Sequence, residues 1–273
     1  MKKTKQVLAI VGIVLLAGMY VSAFVLAFQK SPQAQFFFRL AIGATILVPV
    51  LLYLILMVAR MVRPQKSAVV DSLVFDLGKV LVDWPWEECA AEMGISEEAV
   101  AAIRDRVVLT PLWREFDRSR KEDDEIIRDV LAQIPEYEAE FRKILPVMHE
   151  CCEPFWYTES WLRALKRKGY KLYYLSNWGR TGHDAAVARG AMDFTKLMDG
   201  GIWSYEYQEV KPEPQIYQRL IRKYHLNPGR TIFIDDNKEN VDAAKREGMG
   251  GIVFTDINDA AEKLAAVGVR WQA

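Results

Sequence analysis

The sequence predicts an α/β protein: a mostly parallel sheet with helices on both faces and a helical cap inserted after strand one, preceded by two transmembrane helices. Three observations carry this expectation. Residues 1–62 are almost uncharged, whereas the rest of the 273-residue chain has an ordinary soluble composition. From Val69 onward, short apolar and β-branched runs alternate with stretches whose apolar residues recur at i, i+3 and i+4. The interval from Asp83 to Glu159 breaks that rhythm, because its pattern is helical throughout.

The first element is VLAIVGIVLLAGMYVSAFVLAF, Val7 to Phe28, uncharged and long enough as a helix to cross a bilayer at ~1.5 Å per residue. After the polar break QKSPQAQ comes a second apolar run, Phe36 to Val62, with its span placed at about 38–60. Arg39 lies near one end, where it can snorkel to the interface, and Pro49 is tolerable inside a membrane helix. Two buried core helices would need a polar face, and neither run has one. Lys2, Lys3 and Lys5 precede the first span, and Arg60, Arg63 and Lys66 follow the second. That bias predicts a multi-pass cell-membrane protein with both termini and the soluble domain cytoplasmic. Met1 to Ala23 also has the outline of a signal peptide, but cleavage there would leave the second span and its orientation unchanged. RPQKSA, residues 63–68, reads as a linker, and 69–273 as the soluble domain with its helical cap at about 85–156.

Within that domain, strands are expected at 69–77, 171–177, 201–206, 231–236 and 251–255. The helix SWLRALKRKG stops at Gly169, and PEPQIYQRLIRKYHL opens on prolines, which suit a first helical turn. Alternation of this kind gives a sheet covered on both faces, whose ligands bind beyond the carboxyl ends of the strands. Positive and negative residues balance at 36 each, so no basic field argues for nucleic acid. Cys89, Cys151 and Cys152 form no CxxC pair and no disulfide framework, and are read as reduced thiols.

The polar residues at the predicted strand ends are Asp76, then Ser176 and Asn177, then Asp235 and Asp236, with Lys211 ahead of a helix. Topology should bring them to one rim of the sheet. Three crowded carboxylates repel unless a cation sits among them, and oxygen-only donors suit Mg²⁺. A hydroxyl, a backbone amide and an ammonium would complete a phosphate cradle.

FDLGKVLVDW, LSN, Lys211 with Pro212, and IDDNKENVDAAKREGM resemble, in order and in strand context, the four motifs of the haloacid dehalogenase superfamily. The resemblance runs from Ser67 to the C-terminus and implies a Rossmann-like fold. It points to the helical-cap phosphatase branch, which includes sugar-phosphate phosphatases such as bacterial α-D-glucose-1-phosphate phosphatase; the two membrane spans are not part of that pattern. The resemblance implies that Asp76 attacks phosphorus and forms an aspartyl-phosphate. It implies that Ser176 and the amide of Asn177 hold the transferring phosphoryl group, and that Lys211 neutralises charge on nucleophile and phosphate. Mg²⁺ would be held by Asp76, the carbonyl of Gly78 and Asp236, with Asp235 as a ligand or beside the ligands.

Gly78 is a departure. Most phosphatases of the superfamily carry there a second aspartate, which protonates the leaving alcohol; the sugar-phosphatase branch tends to carry glycine. Lys79 is another, since that branch usually has asparagine; its ammonium either binds substrate phosphate or pairs with Asp76 and weakens it. Asp83 is read as the hinge to the cap, and Trp84 and Trp86 as hinge packing. Trp113, Arg114, Asp117 and Arg118 either face the substrate or serve as core and surface of the cap. His149, His183 and His225 are read as surface or packing residues. The function expected is a membrane-anchored, Mg²⁺-dependent phosphatase of a small phosphorylated metabolite, a sugar phosphate among the candidates. The alternatives are a phosphometabolite- or partner-binding module without turnover, and a 2-haloacid dehalogenase, whose halide leaves without a proton.

Overall fold

The computed structural model describes residues 69–271 throughout, together with scattered positions between 18 and 50. The chain divides into two compact units, Met1–Lys66 and Ser67–Ala273. Most of the two expected spans, 7–28 and 38–60, and the whole of the linker 63–68 lie outside the described residues. Among the described residues no helix is long and apolar enough to cross a membrane. The described positions of the first unit are mainly helical, and Phe24, Phe28, Phe36, Phe37 and Leu40 expose large apolar side chains.

The second unit begins with β1, Ser72–Phe75, every residue of which is buried. Leu73 and Phe75 point to one face of the sheet and Val74 to the other, the period of two that a strand covered on both sides requires. The strand is shorter than the expected 69–77 because the chain turns at once: the amides of Val80, Leu81 and Val82 all donate to Leu77 O. β2, Val82–Asp83, then leads into α1 (Trp86–Glu92), α2 (Glu97–Ile103), α3 (Pro111–Arg118), α4 (Asp123–Leu131) and α5 (Glu138–Glu150). Ser96 caps α2 by accepting from Ala99 N, and α2 runs on into a π-turn, Arg104–Val108. Thr110 caps α3 by accepting from Leu112 N, with Pro111 in the first turn; Ser119, at φ 47°, ends it in the left-handed region.

These helices enclose their own apolar core, including Trp86, Ile103, Phe116, Ile126, Phe141, Ile144 and Met148. The chain returns through β3, Glu153–Pro154, which pairs antiparallel with β2, so Asp83 lies opposite Glu153 in a two-stranded sheet.

The remaining elements are α6 (Thr158–Arg167), β4 (Lys171–Ser176), α7 (Arg180–Ala188), β5 (Gly200–Trp203), α8 (Pro214–Lys223), β6 (Thr231–Asp235), α9 (Lys238–Arg246), β7 (Gly250–Val253) and α10 (Ile257–Ala266). The expected strand 201–206 stops at Trp203, where Ser204–Tyr207 forms one helical turn. The five-stranded parallel sheet has the order β5-β4-β1-β6-β7. Leu73, Phe75, Leu172, Ile232 and Ile234 pack with Trp161, Leu162 and Leu165 of α6 and with Leu264 of α10. Val74, Tyr173, Leu175 and Phe233 pack on the other face with Ile216, Tyr217 and Leu220 of α8 and Val241 of α9.

Candidate active site

β4 flanks β1 on one side and β6 on the other, so the connections leaving the carboxyl ends diverge there and open a crevice. Asp76, the residue after β1, is held in line because its amide donates to Ile234 O at 2.8 Å. Its Oδ1 accepts from Leu77 N at 2.7 Å. Lys211 reaches the same point from the loop before α8. Its side chain is 1% exposed, and Nζ lies 2.8 Å from Asp76 Oδ1 and 2.7 Å from Asp235 Oδ2. Asn177 fixes the Lys211 backbone by a reciprocal pair: Lys211 N donates to Asn177 Oδ1 at 2.7 Å, and Asn177 Nδ2 donates to Lys211 O at 3.0 Å. Sequence reasoning assigned Asn177 a backbone role alone and missed this side-chain clamp.

Asp235 accepts from Asn237 N at 2.8 Å and from Asn240 Nδ2 at 3.0 and 3.1 Å, besides Lys211. Both of its oxygens are therefore engaged by the protein. Asp236 accepts no hydrogen bond from another described residue and lines the pocket. Carboxylate oxygens of Asp76, Asp235 and Asp236 lie within 4.8 Å of one another. Burial pushes the Asp76 carboxyl well above the usual carboxylate range; Lys211 pulls it back, and Asp235 and Asp236 add to the rise. Burial and Asp235 likewise raise Asp236. Burial alone would depress the Lys211 ammonium, but Asp235 and Asp76 outweigh it and hold the group charged. One ammonium against three carboxylates leaves an excess of negative charge, and every donor is oxygen. This set fits a hard divalent cation such as Mg²⁺. Asp76 and Asp236 keep carboxylate oxygens without protein partners that could face it, whereas both oxygens of Asp235 are engaged by the protein.

Ser176, the last residue of β4, is buried, and the pocket wall beside it is made by Asn177, Trp178 and Gly179. Gly78 lines the pocket, its φ is not left-handed, and a Cβ there would meet nothing within 4 Å. The backbone thus does not demand glycine. Lys79 holds a left-handed backbone, φ 59°, and its exposed side chain sits at the pocket. The ammonium paired with Asp76 is that of Lys211, not Lys79.

Above the carboxylates is a pocket of about 330 Å³. Val108 and Leu109, from the π-turn and the residue after it, line it with Trp84, Trp113, Phe116, Met148 and Trp178. Trp84 is therefore more than hinge packing: Nε1 donates to Met148 O at 2.7 Å, and its ring tilts against Trp113 at 5.5 Å. His149 also lines the pocket, stacked on Trp113 at 6.3 Å, and burial lowers its pKa. No spacing motif signals it in the sequence. His183 packs on Trp203 and Tyr205, as a packing residue should. Of the four α3 residues in question, Trp113 and Asp117 line the pocket. Arg118 is committed elsewhere, its guanidinium meeting Glu213 at 2.7 and 3.0 Å, and Arg114 reaches Glu239 at 3.9 Å.

Comparison with known proteins gives a consistent picture. Residues 70–248 match the haloacid dehalogenase-like hydrolase family. The sesquiterpene phosphatase astK of Aspergillus oryzae is 27% identical over 183 residues, which cover 67% of this chain and 89% of that protein. The D-ribitol-5-phosphate phosphatase of Bacteroides thetaiotaomicron is 24% identical over 197 residues, covering 66% and 89%. A solved family enzyme from the same bacterium, in complex with magnesium and inorganic phosphate, superposes with a TM-score of 0.52 at 19% identity. That match covers 68% of this chain and 94% of the other, and shows a shared fold.

Proposed function

The chain belongs to the haloacid dehalogenase-like hydrolase family and is a hydrolase of phosphate esters, and from that premise we propose a Mg²⁺-dependent phosphomonoesterase that uses Asp76 as its nucleophile. The observation that supports this most is the Asp76–Lys211–Asp235 chain at the pocket floor. Lys211 holds Asp76 by one oxygen and leaves the other to meet phosphorus. Asp235, fully engaged by Asn237, Asn240 and Lys211, keeps that lysine charged and aimed. The resulting aspartyl-phosphate is then opened by water. Magnesium, when bound, would offset repulsion between Asp76 and the incoming phosphate. Ser176 and the Asn177 amide are assigned to the phosphoryl oxygens.

The pocket favours an apolar alcohol over a sugar. Its walls are largely aromatic and aliphatic, and the side-chain amides of Asn177 and Asn240 are engaged by protein partners. A polyol hydroxyl held against the apolar wall of Val108, Leu109, Trp113 and Phe116 would lack a partner there, at a cost of about 1–3 kcal/mol for each one desolvated. Among the relatives, the sesquiterpene phosphatase fits the apolar reading and the D-ribitol-5-phosphate phosphatase the polyol one, so the pocket wall carries the choice. Membrane tethering fits it too. The apolar runs 7–28 and 38–60, and the exposed phenylalanines at the described positions, support an anchor that keeps the domain at a lipid surface. An exposed Lys79 is suited to a phosphate oxygen at the pocket mouth.

The test uses the full-length protein in detergent, with Mg²⁺ or EDTA, against farnesyl phosphate, octyl phosphate and D-ribitol 5-phosphate. We expect Mg²⁺-dependent phosphate release, faster from the apolar esters and abolished in Asp76→Asn. Activity surviving in that variant would move the nucleophile elsewhere; preference for the polyol would refute the substrate assignment. A C-terminal reporter should behave as cytoplasmic.

A further inference from the structure

Gly78 leaves the leaving group without a proton donor at the position where most phosphatases of this family would carry one, and the pocket contains one ionisable side chain suited to the task. Asp117 lines the pocket together with Asp76, Gly78 and Asp236. Its carboxylate makes no ion pair or hydrogen bond with another side chain among the described residues, unlike Arg114 and Arg118 on the same helix. Its place is also unusually well fixed. Ser204 Oγ donates to Asp117 O at 2.6 Å and accepts from Trp178 N at 2.8 Å. Arg180 N donates to Ser119 Oγ at 3.0 Å, and Arg118 clamps Glu213 at the start of α8. Gly179 packs so tightly beneath that a Cβ would lie 2.4 Å from Phe116 O. The end of α3 is thus bolted to the loops after β4 and β5, the same loops that carry Asn177 and Lys211.

We propose that Asp117 is the general acid and base of this site, doing from α3 what a carboxylic acid two residues after the nucleophile would do. The proposal rests on the phosphatase reading above. In the first step an Asp76 oxygen bonds to phosphorus and the bond from phosphorus to the ester oxygen breaks; the departing oxygen takes the proton of the Asp117 carboxyl and leaves as the alcohol. In the second step the Asp117 carboxylate takes a proton from water as that water bonds to phosphorus. The bond from phosphorus to Asp76 breaks, inorganic phosphate leaves, and both carboxyls return to their starting states.

The environment suits such a role. Burial raises the Asp117 carboxyl to about 7, against the pull of Lys211 and Arg114, so that acid and base forms are both accessible near neutrality. The other ionisable groups lining the pocket are Asp76, Asp236, Lys79 and His149. His149 is held towards its neutral form by burial, and the Lys79 side chain is exposed rather than enclosed by the pocket wall.

The experiment measures kcat/KM for full-length wild type, Asp117→Asn and Asp76→Asn on p-nitrophenyl, phenyl and octyl phosphate, whose leaving groups need a proton increasingly. Asp117→Asn should lose about 10²–10⁴-fold on octyl phosphate and under about tenfold on p-nitrophenyl phosphate. The alkaline limb of its pH profile on octyl phosphate should vanish. The Asp117 carboxylate makes no hydrogen bond or ion pair among the described residues, so the fold should survive, and Asp117→Ser should show the same leaving-group dependence. An equal loss on all three esters, or no loss on octyl phosphate, overturns the proposal while leaving Asp76 as nucleophile untouched. Activity retained by Asp76→Asn, or absent from wild type on every ester, overturns the phosphatase reading and this proposal with it.

Discussion

Replacing Lys211 with methionine removes a charge while nearly conserving volume, so its effect isolates the electrostatics of the site floor. The lysine is 1% exposed and lies 2.8 and 2.7 Å from two carboxylates. At an effective dielectric constant of about 20, each contact is worth roughly 6 kcal/mol of gross attraction, before the large cost of burying an ammonium. What remains when one partner of a buried ionic cluster is deleted is about 3–5 kcal/mol of lost stability, because the surviving charges stay buried without compensation. Asp235 would keep its bonds from Asn237 and Asn240, and Asp76 its bond from Leu77, so the loss should fall within that range. For a unit of this size that is a fall of about 6–20 °C in Tm. Urea denaturation of Lys211→Met and wild type at pH 7 in EDTA measures it. Adding Mg²⁺ should stabilise the variant more than wild type, because the divalent ion meets a larger uncompensated charge. A loss below about 1 kcal/mol in EDTA would show that the carboxylates are not held by this lysine, and the account of the site floor would fail.

The bolt at α3 gives a second test. Gly179→Ala forces a Cβ against Phe116 O and should cost about 1–3 kcal/mol; it should also slow octyl phosphate turnover more than p-nitrophenyl phosphate turnover. Unchanged stability would mean that the contact is not tight in solution. A third concerns pH. Because the folded-state pKa of Asp117 stands at about 7 against an ordinary 3.8, the native protein binds a proton the unfolded chain releases. Its contribution is complete below pH ~4 and is lost as pH rises towards and past ~7. The urea midpoint of the metal-free protein should therefore fall from pH 5 to pH 8, and fall less in Asp117→Asn. An identical slope in that variant would refute the assignment.

Much of the sheet was legible because its strands are short apolar runs with turn residues between them, and a fully covered parallel strand leaves that signature whatever packs above it. The strand ends were less legible. β1 stops before Leu77 because the backbone turns to present Asp76, and the Trp203–Ser204 boundary exists because Ser204 is needed as a bridge to Asp117 and Trp178. The charged residues Asp76, Lys211, Asp235 and Asp236 could be named from position alone, and the structure brings all four together. The sequence leaves Asp235 as a ligand or beside the ligands, since only hydrogen bonds from Asn237 and Asn240 decide which of two adjacent carboxylates turns inward. The pocket walls were hidden for a different reason. Val108, Trp113, Phe116 and His149 come from three separate stretches of the insert, and helical periodicity reports which residues are apolar, not which apolar residues are left uncovered.

The insert encloses its own core, from Trp86 to Met148, while the sheet is packed by two others. Inheritance can therefore act on the two halves of the site at different rates. Changes at Val108, Leu109 or Trp113 reshape the walls without touching the packing on which the sheet depends, so a descendant can acquire a taste for a new alcohol in a few steps. Asp117 is the exception, because its backbone belongs to the seam with the sheet. Divergence should accordingly run freely through α1, α2 and the π-turn and stall at the end of α3, a gradient of tolerated change that a deep mutational scan would draw directly along the chain.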